Sequence, residues 1–151
     1  MIEYNVEKLS NCLEELKPLL ASHYEEVAMY KDKINFNPDY ARYKVLEEAG
    51  ALHIVVARDA EELVGYFICF LMPHLHYKDN LYAVNDIVYI KEELRSSKAG
   101  LDMFNYAENS LRSLGASVLC IHMKTSLPFD SLCEGLGYDY AERNYTKYIG
   151  E

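Results

Sequence analysis

The stretch from Leu81 to Met123 constrains the fold most. Leu81 to Ile90 is an apolar run rich in β-forming residues. A polar loop follows and ends in Arg95-Ser96-Ser97-Lys98-Ala99-Gly100. From Leu101 the apolar residues recur at helical spacing (Phe104, Ala107, Leu111, Leu114) until Gly115, a helix-stopping residue. Val118 to Met123 is a second apolar run. Strand, loop, helix and strand in that order predict two parallel strands joined by a helical crossover. The same order aims the free N–H groups of a helix start out of the loop, where the helix dipole favours an anion such as a phosphate.

The rest of the chain extends this core in both directions. Met1 to Val6 suits a short edge strand. Glu7 to about Tyr30 has helical periodicity (Leu9, Cys12, Leu13, Leu16, Leu19, Leu20), and Pro18 predicts a kink or two helices. Asn37-Pro38-Asp39 predicts a helix start with Asn37 as cap, running to Gly50. Ala51–Arg58, Leu63–Leu71 and Leu81–Ile90 then read as three strands, turning near Asp59–Glu62 and Lys78–Asn80. Their connections are too short for crossovers, so they predict an antiparallel meander. Pro128 to Leu136 reads as a short helix ending at Gly137, and Tyr138 to Ile149 as a closing strand or hairpin. The expectation is one mixed α/β domain over residues 1–151.

Charge narrows the partners. The net charge is 15 − 24 = −9, which disfavours nucleic acid and anionic membranes. A local basic loop on an acidic body still suits a single phosphorylated ligand. Cys12, Cys69, Cys120 and Cys133 are too dispersed for a metal knuckle or a CxxC pair and read as reduced thiols. With no apolar leader or spanning segment in view, the expected location is cytoplasmic.

The order of elements resembles the GNAT superfamily of acyl-CoA-dependent N-acetyltransferases, over nearly the whole chain. The family's loop, Arg/Gln-x-x-Gly-x-Gly/Ala, is matched by Arg95-Ser96-Ser97-Lys98-Ala99-Gly100, with Lys98 at the first glycine. Its apolar-Tyr-apolar strand before the loop is matched by Val88-Tyr89-Ile90, and its C-terminal Leu-Gly-Phe by Leu136-Gly137-Tyr138. Pro73-His74-Leu75-His76-Tyr77 followed by Asp86 is similar to small acetyltransferases encoded by bacteriophages. The resemblance implies a mostly antiparallel central sheet flanked by helices, with acetyl-CoA as cofactor. It implies that Arg95, Ser96, Ser97, Lys98, Ala99 and Gly100 hold the pyrophosphate. It also implies that the main chain of Val88, Tyr89 and Ile90 pairs with the pantetheine arm, and that dimers are common.

Acetyl transfer to an amine needs a base for the amine proton and a donor for the leaving thiolate. Asp86 lies in an apolar strand, where desolvation raises a carboxyl pKa towards usefulness. Strict alternation puts it on one face with Val84, Val88 and Ile90. It reads as base or as a structural aspartate. His74 and His76 can act as base, bind substrate, or simply pack, and His122 reads as a core histidine. The family's general-acid tyrosine aligns with Cys133, which can donate a proton or pack. Glu25, Glu26 and Tyr30, with the other N-terminal tyrosines, can receive a cationic amine or form a solvated face. Two function classes stay open. One is a direct acetyl transfer to a primary amine of a small molecule or protein. The other is a non-catalytic CoA-binding module that modulates a host protein.

Overall fold

The computed structural model describes residues 1–151. Five strands form one sheet in sequence order: β1 (Ile2–Val6), β2 (Leu52–Asp59), β3 (Glu62–His74), β4 (Tyr77–Ile90) and β5 (Ala116–Cys120). The first four pair antiparallel and β4 pairs parallel with β5, as the strand–loop–helix–strand order requires. Helices α1 (Leu9–Val27) and α2 (Tyr40–Glu48) cover one face, and α3 (Ala99–Ser113) and α4 (Asp130–Gly135) the other. With helices on both faces, β2 is buried on both sides from Leu52 to Ala57. This explains its apolar run, broken only by His53, whose Nε2 lies 2.8 Å from Ser110 Oγ.

The helices follow their apolar stripes. α1 buries Leu9, Cys12, Leu16, Leu19 and Leu20, and α3 buries Ala99, Met103, Phe104, Ala107 and Leu111. Both sets repeat every three or four residues. Phe104 fills the second core edge-on against Phe67, with ring centroids 5.1 Å apart.

Several boundaries differ from the sequence expectation, among them the last strand, which ends at Cys120 and not at Met123. α1 runs unbroken through Pro18, because the packed stripe on both sides of the proline outweighs one lost hydrogen bond. The cap of α2 is Asp39, whose carboxylate accepts the Arg42 N–H at 2.9 Å, and not Asn37. The β3–β4 hairpin turns at Leu75-His76 and not at Lys78–Asn80. No strand forms beyond β5: residues 138–151 are irregular. Only Tyr138 there reaches the core, its hydroxyl donating to Glu108 at 2.7 Å. Tyr140, Tyr145 and Ile149 stay exposed, and Glu142, Asn144 and Thr146 interrupt the apolar alternation a strand needs.

Two features of β4 shape the middle of the molecule. Ile87 pairs with Ile68 and Asn85 with Cys69, so Asp86 is an extra, bulged residue. The bulge resets the alternation: Ile87 and Tyr89 pack under α1 and α2, while Val88 packs under α3. Asp86 meets Tyr43 on the α2 side. The expected sharing of one face by Asp86 with Val88 and Ile90 is therefore corrected. Beyond the bulge the strands part, since β5 pairs with β4 only up to Val84 opposite Cys120. The buried Asn85 side chain bridges the opening. Its Nδ2 donates to the His122 carbonyl at 2.8 Å and its Oδ1 accepts the His122 N–H at 2.5 Å. One side-chain amide thus does the work of a ladder peptide across a gap the main chain cannot span.

The nearly isosteric Asn85→Leu leaves both His122 main-chain groups unpaired. We expect it to lower unfolding stability by about 1–3 kcal/mol in urea titration, and an unchanged midpoint would contradict the bridging role.

Candidate functional site

Where β4 and β5 part, a cleft of about 750 Å³ opens, within the usual range of a ligand pocket. Asp86 to Ile90 form one wall and His122 to Thr125 the other. The start of α3 (Gly100, Leu101, Phe104), the end of α1 and residues 144–146 complete the lining.

The open edge of β4 has a definite phase. The Lys91 N–H donates to the Val64 carbonyl at 2.9 Å. Antiparallel alternation then turns the main chain of Tyr89 towards β3 and that of Val88 and Ile90 towards the cleft. Consistent with this, the Ile90 carbonyl accepts Arg95 Nε–H at 2.9 Å.

The loop before α3 is internally braced. Ser97 Oγ donates to the Leu94 carbonyl at 2.7 Å and accepts the Ala99 N–H at 3.1 Å. The amides of Ser96, Lys98, Gly100 and Leu101 donate to no protein acceptor, so four N–H groups at the positive end of α3 are open. Lys98 sits at φ −73°, ψ −4°, an ordinary right-handed conformation that asks for no glycine. Its side chain is exposed, and neither Lys98 nor Ser96 is part of the cleft lining. At Gly100 an added methyl group would meet nothing nearer than Leu132 at 3.7 Å. Ala99 is buried, its carbonyl accepting the Tyr4 hydroxyl at 3.0 Å.

Arg95 faces inwards. Its Nη2 pairs with Glu26 Oε2 at 2.7 Å, and the guanidinium lies 5.3 Å over the Tyr89 ring. Glu26 thereby ties α1 to the loop, and Glu25 pairs with Lys31 at 3.1 Å. Neither forms an acidic mouth, and Asp86 is the sole carboxylate in the cleft lining. Tyr30 adopts a left-handed φ of 59° and its hydroxyl meets Thr146 Oγ1 at 3.3 Å. It holds the C-terminal segment and does not line the cleft.

Asp86 is half-buried and accepts a short hydrogen bond from the Tyr43 hydroxyl. Burial pushes its carboxyl pKa up, and the Tyr43 bond draws it partly back. The other three expected catalytic residues lie elsewhere. His74 and His76 sit at the β3–β4 hairpin, where the His74 ring packs on Tyr82 at 4.5 Å and its Nδ1 accepts the His76 N–H. The hairpin end is remote from the lining because β3 and β4 run several residues past the bulge. Cys133 is buried in the α3-side core, and burial raises its thiol pKa.

The sequence reading missed His23 and Asn85, and placed His122 in the core, whereas it lines the cleft just beyond β5. His23 continues the α1 stripe, four residues after Leu19, which is the signal that could have found it. Its Nδ1 lies 2.8 Å from the Tyr66 hydroxyl and its ring 5.0 Å from that of Tyr89. Burial lowers its pKa to about 4, with Glu26 opposing and Arg95 and Lys124 assisting.

No protein-family model matches the sequence, and no curated protein matches it. Solved structures do. A ribosomal-protein-alanine N-acetyltransferase from Brucella melitensis biovar Abortus 2308 is 19% identical with a TM-score of 0.74, covering 99% of this chain and 100% of its own. An aminoglycoside acetyltransferase from an uncultured soil metagenomic sample is 14% identical with a TM-score of 0.78, covering 99% of each chain. A predicted acetyltransferase from Clostridium acetobutylicum, solved with acetyl-CoA, is 10% identical with a TM-score of 0.73, covering 99% of this chain and 97% of its own. The chain has the GNAT acetyltransferase fold. No group of three or more metal-ligating side chains occurs, and no helix is long and apolar enough to cross a membrane.

The lowered pKa of His23 has a stability consequence. Between about pH 6.5 and 4 the unfolded chain protonates His23 and the folded chain does not. Stability therefore falls as pH drops through that window. His23→Phe should flatten the wild-type slope there in pH-dependent urea unfolding, whereas equal slopes would contradict a buried neutral imidazole.

Proposed function

We propose that this chain is an acetyl-CoA-dependent N-acetyltransferase that moves an acetyl group directly to a primary amine in a ternary complex. The observation that carries the reading is the cleft between parted β4 and β5, with Gly100 and Leu101, two of the four residues with open amides, in its lining and a desolvated carboxylate in its wall. The neighbours add support, since all three are acetyltransferases by name and one was solved with acetyl-CoA.

The residues present fit the cofactor. The open amides of Ser96, Lys98, Gly100 and Leu101 would receive the pyrophosphate, and the exposed Lys98 side chain adds charge beside them. The ordinary backbone at Lys98 means that the missing glycine costs nothing in conformation. The cleft-facing main chain of Val88 and the N–H of Ile90, whose carbonyl Arg95 already holds, would pair with the amide-containing pantetheine arm, a form of strand addition. Bound acetyl-CoA supplies a thioester, and the amides on that edge are suited to polarise its carbonyl.

Asp86 is the base in this account. Its raised pKa brings it nearer to working pH than an exposed aspartate, and the Tyr43 hydroxyl fixes its orientation while leaving lone pairs free. It accepts the proton that the amine must lose. Cys133, sealed in the core, plays no acid role here. Tyr145, in the cleft lining, is the hydroxyl available to the leaving thiolate.

At a hundred times its dissociation constant, acetyl-CoA should raise Tm by about 5–10 °C. Asp86→Asn should keep that shift while lowering kcat by about 100-fold or more in a thiol-release assay with an amine panel. No Tm shift at saturation would overturn cofactor binding. A Tm shift without transfer to any amine would favour a non-catalytic CoA-binding module.

A further inference from the structure

We propose that His23 is the acceptor-recognition residue: it presents a neutral Nε2–H donor into the cleft and selects amines that carry a hydrogen-bond-accepting oxygen beside the amine. The proposal rests on the acetyl-transfer reading and names the acceptor class for it.

Tyr66 sets the tautomer. Its side chain is fully buried, and its hydroxyl has one partner, His23 Nδ1 at 2.8 Å. A hydroxyl sealed from water must place its proton on an acceptor, and His23 Nδ1 is the acceptor in reach. The reverse arrangement, with Nδ1–H donating, leaves the Tyr66 proton orphaned in the core. Tyr66 O–H therefore donates, and the single ring proton of a neutral His23 sits on Nε2. Packing holds the ring in place, since Tyr66 and Tyr89 stack with centroids 5.6 Å apart and His23 lies against both.

Nε2 makes no hydrogen bond within the protein. No buried side-chain nitrogen or oxygen is without a partner, so Nε2 is not sealed from solvent. His23 lines the cleft, and the Nε2–H is open there to a ligand.

The partner chemistry follows from what else lines the cleft. Asp86 is its one carboxylate, and Arg95 and Lys124 are its cations. The two acidic residues next to His23 on α1 are already paired, Glu25 with Lys31 and Glu26 with Arg95. A polycation therefore meets a single free anion. The His23 Nε2–H and the Asp86 carboxylate together suit an acceptor that offers a neutral oxygen and an ammonium, as in an amino alcohol or an α-amino amide. A plain alkylamine satisfies Asp86 and leaves Nε2–H without a partner, a penalty that discriminates strongly in a desolvated site.

The test uses pairs of matched shape in which hydrocarbon replaces the oxygen-bearing group: ethanolamine against n-propylamine, and alaninamide against 3-methyl-2-butylamine. Nitrogen-15 NMR of the folded protein at pH 7 should show His23 neutral and protonated on Nε2; a proton on Nδ1 overturns the proposal. With acetyl-CoA, His23→Phe should raise KM about tenfold for the oxygen-bearing member of each pair and lower it for the alkylamine, which no longer strands the Nε2–H. His23→Gln, which keeps an N–H donor, should restore part of the loss. Equal loss for both members, or none, overturns it. Retention of the acetyl-CoA Tm shift by both variants establishes that they fold. If the chain transfers acetyl to no amine, the acetyl-transfer reading fails. Amine titrations of its CoA complex then decide: Nε2–H shifts confined to the oxygen-bearing amines uphold the recognition role, and their absence overturns it.

Discussion

The parting of β4 from β5 is the constraint on which the site depends. Ladder hydrogen bonds favour continued pairing, so a stable opening needs something that holds the strands apart without leaving polar groups unpaired. Asn85 does this by giving the His122 peptide one donor and one acceptor. The bulge one residue later turns Asp86 towards α2, where Tyr43 meets it. Consecutive residues thus set the width of the cleft and the direction of its carboxylate.

Charge is distributed to match. The molecule carries a net −9, yet the lining holds two cations and one carboxylate. Glu26 neutralises Arg95 from the side of α1, which couples the loop before α3 to the helix that carries His23. Tyr89 sits between them, its ring against both His23 and Arg95. The loop before α3 and the end of α1 are therefore joined by one packed group of side chains. A change at Arg95 has a physical route to His23.

Much of this was legible in the sequence. The order of strands, the parallel pair, the stripe of α3 and the loop at Arg95–Gly100 all follow from periodicity and connection length. What escaped was set by tertiary context. A bulge leaves no mark on the alternation pattern, so the phase of Val88 and Ile90 was misread. Tyr138–Ile149 looked like a strand, but Glu142, Asn144 and Thr146 remove the apolar face that would hold one. His74 and His76 drew attention by residue type, whereas His23 was hidden in a stripe that looked like ordinary core. Glu25 and Glu26 looked free because their partners, Lys31 and Arg95, lie across a turn and across the fold.

The central claim is that the parted edge of β4 and the start of α3 form one cofactor site. Backbone amide chemical shifts during titration with acetyl-CoA test it most directly. The account predicts the largest changes at Val88, Ile90, Ser96, Lys98, Gly100 and Leu101, with the β3–β4 hairpin tip unmoved. Saturable changes confined to another surface, or none at all, would contradict it.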